Sequence, residues 1–292
     1  MNLLLRANLI FGMGFLLIAA ASGYLCRAVL EADAEREQMA KAGLMLESAQ
    51  AIRNYTSTEI VPLLDQQLKT DFLPQSIPFY AATQNFLKLR ERYPQYSYKE
   101  ATLNPTNPRD RAADWEADIV QRFRNDDKVH ELSGVRDTPM GLSLYMARPI
   151  RAEPECLGCH SRPSAAPAPL IARYGANNGF GWQAHEIVGA QVVSVPLATI
   201  ALNVDRSFVE VMCIIAGGLA IFWLGINAIL YFLCLRPLKR IARIAETLSL
   251  GQASTEDFPI RGPVEITGLG ASFNRMRKSL DKALKLLQGQ PL

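Results

Sequence analysis

The sequence predicts an α+β domain held between two membrane-spanning helices and followed by a helical tail. Three observations carry this. Two long runs lack any charged residue, Ala7 to Cys26 and Val211 to Leu235. The first half of the section between them shows apolar residues at helical spacing, and the second half shows short alternating runs typical of strands. Helices followed by strands, rather than strict alternation of the two, point to a segregated α+β layout with a small antiparallel sheet.

Composition narrows the field before any motif is read. The chain has 292 residues, a formal net charge of +3, 49% hydrophobic residues and 20% charged ones. That balance implies no nucleic-acid partner. Of five cysteines, Cys26, Cys213 and Cys234 lie in or beside the uncharged runs, which leaves only Cys156 and Cys159 in the polar section. Such a distribution is not a disulfide scaffold.

Taken in order, the run from Ala7 to Cys26, bracketed by Arg6 and Arg27, meets the length of about 20 apolar residues that a spanning helix needs. Ala19-Ala20-Ala21 resembles a signal cleavage site, but the run outlasts a signal core and continues into a helical pattern, so a retained anchor is expected. Met39, Ala42, Met45 or Leu46, Ala49 and Ile52 extend that pattern as an amphipathic helix. Pro62, Pro74 and Pro78 then interrupt it. Helices are predicted over Phe79 to Arg92 and Arg109 to Arg124, the latter with Trp115, Ile119 and Phe123 on one face. Strands are predicted over Val129 to Val135, Gly141 to Ile150 and Glu186 to Leu197.

The second uncharged run ends at Arg236-Pro237-Leu238-Lys239-Arg240, with Arg243 beyond. Positive charge there places that end in the cytoplasm, and Arg6 places the N-terminus there too. The expected order is a first span at 1–29, a periplasmic domain at 30–205, a second span at 206–235 and a cytoplasmic module at 236–292, in a bacterial inner membrane.

Cys156-Leu157-Gly158-Cys159-His160 carries the chemistry. Two thiols at this spacing add across the two vinyl groups of a porphyrin, and the histidine that follows then reaches the iron. A structural zinc site would need about four ligands, and no second cysteine pair or histidine cluster lies nearby. A thioredoxin-like pair would need a βαβ setting, where this sequence has a proline-rich loop. One covalent haem c is therefore expected, with thioethers to Cys156 and Cys159 and His160 as the proximal ligand. The periplasmic side, where the charge pattern places the motif, is where such attachment takes place in bacteria.

For the sixth ligand the sequence offers Met45 first, then Met39, His130 and His185, with Met140 and Met146 as further candidates. Methionine at helical spacing is more often core filler. Arg53, Tyr55 and Arg148 are candidates for the propionates, which need cationic or hydrogen-bonding partners. No nucleophile–base pair, phosphate loop or carboxylate pair stands out, so no enzyme activity is expected.

Several passages together resemble the Tll0287-like family: Arg53-Asn-Tyr-Thr, Tyr98-Lys-Glu-Ala-Thr-Leu-Asn-Pro-Thr-Asn-Pro, Cys156-Leu-Gly-Cys-His and Gly179-Phe-Gly-Trp. The resemblance covers roughly residues 30–200. It implies a PAS-like periplasmic sensor domain, with a covalent haem held between the sheet and the long N-terminal helix. The tail resembles a HAMP relay. Leu238, Ile241, Ile244, Ala245 and Leu248 form one stripe, a connector runs from Gly251 to Pro263, and Leu269, Phe273, Met276 and Leu280 form a second stripe. That resemblance implies a homodimer joined through a parallel coiled coil. No kinase, cyclase or methyl-accepting segment follows, so output is expected through a separate cytoplasmic partner. The expected function is redox or small-ligand sensing across the membrane; the alternative is a tethered cytochrome serving periplasmic redox proteins.

Overall fold

The computed structural model describes residues 3–250, 257–258 and 262–287, and separates into two compact units, residues 24–209 and residues 1–23 with 210–292. The first is an α+β domain built on four antiparallel strands: β1 (Ser97–Thr102), β2 (Leu132–Thr138), β3 (Gly141–Arg151) and β4 (Ile187–Pro196). Their spatial order is β1-β4-β3-β2. The expected strands appear within a few residues of their predicted ends. β1 is the strand the alternation analysis did not find.

β4 lies between β1 and β3 and is buried from Ile187 to Val195, because both faces of the sheet are covered. One face carries helix α3 (Asp114–Asn125): Ile119, Val120 and Phe123 pack on Ala101, Tyr145, Ala147, Ala190 and Val192. Each fully buried side chain of that size contributes about 1.5–3 kcal/mol. At the start of α3, Glu116 accepts the backbone N–H of Ala113 at 2.7 Å and the Lys99 ammonium at 2.6 Å.

The opposite face meets helix α1 (Leu3–Tyr55), where Ala42 and Leu46 pack on Met146 and Val193. Helix α2 (Pro78–Arg92) lies beside it, with Ala82 and Phe86 against Ala49. The predicted stripe of α1 is thus confirmed at Ala42, Leu46 and Ala49. Between α1 and α2 come one π-helical turn (Thr56–Ile60), two short α-helical turns and a 3-10 turn (Pro74–Ser76), in a stretch containing Pro62 and Pro74. Proline removes a backbone donor and prevents one long helix from continuing here. Helix α4 (Ala168–Tyr174) follows the Cys-Cys-His segment. Helix α5 (Leu197–Ile229) follows β4, and its Ile200 and Val204 pack with Leu144, Leu30 and Ala34. Arg27 of α1 pairs there with Asp205 of α5 at 3.2 Å.

Two helical stretches, Leu5–Leu63 and Leu197–Ser249, are long and apolar enough to cross a membrane, by length and composition. Phe15 meets Phe222 and Trp223 edge-on, and the Trp223 indole donates to Asn8 at 2.8 Å. Asn227 donates to the Trp223 carbonyl within its own helix at 3.0 Å. Helices α6 (Arg236–Ser249) and α7 (Val264–Leu287) form the tail. Ile241, Ile244, Phe258 and Ile266 form its small core, while Leu238, Leu269, Met276 and Leu280 of the predicted stripes are exposed. Of the predicted connector, residues 251–256 and 259–261 lie outside the described residues.

Candidate functional site

Cys156 closes a 3-10 turn and Cys159-His160 ends the helical turn Leu157–His160, so the whole motif is one compact coil. Both thiols are free and half-buried. Burial raises their pKa values above the ordinary thiol value; at Cys156 a hydrogen bond from the backbone and the charge of Arg53 oppose the rise.

His160 is held more tightly than the motif alone explains. Its Nδ1 lies 2.6 Å from the Gly179 carbonyl oxygen. A carbonyl can only accept, so Nδ1 carries the proton and Nε2 keeps its lone pair. The ring stacks on Trp182 at 4.0 Å and an interplanar angle of 11°. Burial lowers the pKa of His160, with the Gly179 hydrogen bond opposing the fall, and the neutral form that can bind a metal is favoured. Gly179 is itself anchored, since its N–H donates to Asn104 Oδ1 at 3.2 Å and the Asn104 amide donates to the Phe180 carbonyl at 3.4 Å. Thr106 Oγ1 lies 3.4 Å from His160 Nδ1. Gly179 has φ +82°, and a Cβ there would fall 2.8 Å from the Thr106 backbone, so this close approach admits only glycine.

His160 lines a cleft with about 740 Å³ of empty space, its open mouth included. The walls are aromatic and aliphatic: Phe72, Ile77, Phe79, Tyr80, Leu170, Tyr174 and Trp182. Glu100 and Thr102 of β1, with Thr106, Asn107, Arg109 and Asp110 beyond, supply the polar part. Arg109 lies over Tyr80 at 5.3 Å and pairs with Asp110 at 3.3 Å. Burial raises the Asp110 pKa against the opposing charge of Arg109.

Glu100 is 3% exposed. Its Oε1 accepts the Tyr98 hydroxyl at 2.5 Å, while Oε2 is buried without a hydrogen-bond partner. Burial pushes its pKa up to about 7, against the opposing charge of Arg53 and the Tyr98 hydrogen bond. Arg53 Nε is likewise buried and unpartnered, and the guanidinium lies over the Phe79 ring at 4.1 Å.

The structure separates the other expected site residues from this cleft. Among the described residues none of α1 lines it; α2, β1, α4 and the surrounding loops do. Met45 packs against the cluster of Ala49, Ala82 and Phe86, and Met39 joins the Leu46 and Met146 cluster. His130 is exposed, and His185, in the left-handed region at φ 65°, lies 4.0 Å from Glu153 on the surface. Arg148 is engaged with Glu47 at 2.6 Å and Glu131 at 3.0 Å, and Tyr55 is exposed. Arg53 alone among the propionate candidates borders the cleft's polar floor, through its charge interaction with Glu100.

Sequence reasoning did not assign roles to Asn104, Thr106, Arg109, Asp110 or Glu100. The signal lay in the passages from Tyr98 to Pro108 and Gly179 to Trp182, whose residues meet around His160.

The family model Tll0287-like matches residues 31–196. The chain belongs to the Tll0287-like family. A HAMP domain model matches residues 235–282. A solved structure, titled "Crystal structure of the cyanobacterial heme-protein Tll0287", is similar at 14% identity and a TM-score of 0.43, over 55% of this chain and 95% of that one. Among curated proteins there is no match. A Tll0287-like domain followed by a HAMP domain, with two apolar helices, fits a membrane-associated signalling protein.

Proposed function

We propose that this chain is a membrane-anchored sensor holding one covalent haem c. The observation that carries the reading is the state of His160: Nδ1–H is committed to the Gly179 carbonyl, so Nε2 is the free donor, on the same compact coil as two free thiols. A metal-bound histidine characteristically gives its other N–H to such an acceptor. The residues therefore fit the group. Cys156 and Cys159 would hold it covalently, His160 would ligate the iron, and the aromatic walls would exclude water.

A bound haem supplies one-electron and axial-ligand chemistry. What the chain's own residues do is fix one ligand and leave the rest of the cleft apolar. His160 is the only histidine, and no methionine is found, among the described residues lining the cleft. This supports an open or weakly held sixth position, and with it small-ligand sensing beside redox sensing. Met45, packed on the cluster of Ala49, Ala82 and Phe86, acts in this reading as a core residue of α1.

The spans at 1–29 and 206–235 would place the domain at 30–205 in the periplasm of a bacterial inner membrane, with both termini cytoplasmic. The module at 236–292 would pair with a second copy and act on a separate cytoplasmic partner, the chain itself having no enzyme activity. The exposed apolar stripes of α6 and α7 support that pairing. The HAMP match favours a sensor over a tethered carrier, which needs no relay.

The test is the absorption spectrum of the reduced protein, produced in a host that matures c-type cytochromes, before and after carbon monoxide. A haem band that survives denaturation and moves with carbon monoxide is expected. Loss of the band in Cys156→Ala/Cys159→Ala is the matching control. A protein without any haem band overturns the proposal.

A further inference from the structure

Glu100 is a buried carboxylate with one oxygen satisfied and the other not, on the floor of the cleft that His160 lines. Leaving an ionised carboxylate unpaired in such a place costs several kcal/mol, and the usual relief is to take up a proton.

The groups around it determine which relief is available. From its own strand, Tyr98 donates to Oε1, and from β4 the Gln191 amide donates to the Tyr98 hydroxyl at 3.3 Å and, as a weaker influence on the carboxylate, opposes the rise of its pKa. From α1, Arg53 attracts the charge but makes no hydrogen bond through its Nε, and its guanidinium is occupied by the Phe79 ring. From the turn after β1, Asp110 repels it, partly offset by its own pair with Arg109. Lys99, the neighbouring cation on β1, is taken by Glu116 on the α3 side. Oε2 is therefore a vacant acceptor for a proton.

We propose that Glu100 is a proton-binding site whose occupancy follows the oxidation state of the haem held by His160. When one electron from an external one-electron donor reaches the iron, one proton from solvent goes to Glu100 Oε2; on reoxidation both leave. The added negative charge in a low-dielectric cleft raises the carboxylate's proton affinity, which is the source of the coupling. Burial has already raised the pKa of this group from its ordinary value to about 7, which puts the exchange near neutral pH. The signal has a physical path outward: Glu100 holds the Tyr98 hydroxyl, the Tyr98 ring stacks on Phe86 at 4.4 Å, and Met45 of α1 packs on the cluster that contains Phe86. A redox sensor built this way reports electron supply and acidity together.

This inference rests on the haem reading above, and the experiment separates the two. The full chain, matured with haem and held in detergent, is titrated spectroelectrochemically from pH 5.5 to 8.5 in the presence of redox mediators. The expected midpoint falls with rising pH by up to tenfold in the redox equilibrium per pH unit, about 59 mV for a one-electron couple. Glu100→Gln, read per haem bound, should flatten that slope, while Asp110→Asn should keep it. A second measurement needs no variant: the reduced-minus-oxidised infrared difference spectrum of the wild-type chain should gain a protonated-carboxyl stretch. A flat wild-type slope, an unchanged slope in Glu100→Gln, or no such stretch overturns the proton site and leaves the haem reading standing. Absence of any haem band overturns the reading beneath it, and the proton site with it.

Discussion

Two polar groups share one cleft and are treated in opposite ways. His160 has its protonated nitrogen bound to the Gly179 carbonyl, its ring on Trp182, and its acceptor anchored in turn by Asn104. Glu100 keeps an oxygen with no partner. A group that must hold still is surrounded by hydrogen bonds, because each one removes an alternative orientation. A group that must change its charge is left incomplete, because full satisfaction of one state would lock it there. The difference teaches that the cleft contains both a fixed post and a movable charge.

The largest effect should come from removing the movable charge. The folded-state pKa of Glu100 lies above that of the unfolded chain, so the native state binds more protons between the two values. Its contribution is present in full below about pH 4.5 and is lost as pH rises through about 7. Glu100→Gln should therefore match the wild type near pH 5 and exceed it at pH 8, by on the order of 3 kcal/mol if the carboxylate stays unpaired. Thermal melts of the detergent-held chain across that range measure this. A gap that does not widen with pH would mean Arg53 already neutralises the group.

The next effect falls on the fixed post. Gly179→Ala forces a side chain into the left-handed region beside the Thr106 backbone, a strain of about 1–3 kcal/mol. The protein should lose that much stability and show a disturbed haem spectrum together. A destabilised chain with an unaltered spectrum would detach the Gly179 loop from the orientation of His160.

How much of this was legible in the sequence depends on what kind of signal each part leaves. The α1 stripe of Ala42, Leu46 and Ala49 was readable because burial on a helix repeats every three or four residues. β1 was not, because Ser97-Tyr-Lys-Glu-Ala-Thr sets two adjacent charges in its middle and shows no alternation; what they meet lies elsewhere, Lys99 with Glu116 of α3 and Glu100 in the cleft. The Cys-Cys-His spacing is local and spoke for itself. The clamp on His160 joins residues more than fifty positions apart, Thr106 and Asn104 to the Gly179 loop, so no window of sequence contains it. Helical spacing marked Met45 as core filler, and only the family resemblance put it first among the sixth-ligand candidates; in the fold it packs on the cluster of Ala49, Ala82 and Phe86.

A smaller effect on the cofactor follows from that last point. Met45→Ala should cost stability, about 2 kcal/mol or less for a partly buried methionine, and leave the haem spectrum in place. A shift to a different spin state would return Met45 to the iron and close the sixth position.

The smallest effect sharpens the comparison most. Thr106 Oγ1 lies 3.4 Å from His160 Nδ1, against 2.6 Å for the Gly179 oxygen. Thr106→Val keeps the branched shape and the backbone on which Gly179 rests, and removes only the hydroxyl. Nδ1 retains its shorter partner, so no buried donor is orphaned and the cost should stay near 0.5 kcal/mol, the low end for a hydrogen bond. The reduction potential and the iron–histidine stretching frequency should hardly move. A marked change in either would show that the hydroxyl shares the proton, and that His160 can be tuned from the loop that follows β1, the strand that carries Glu100.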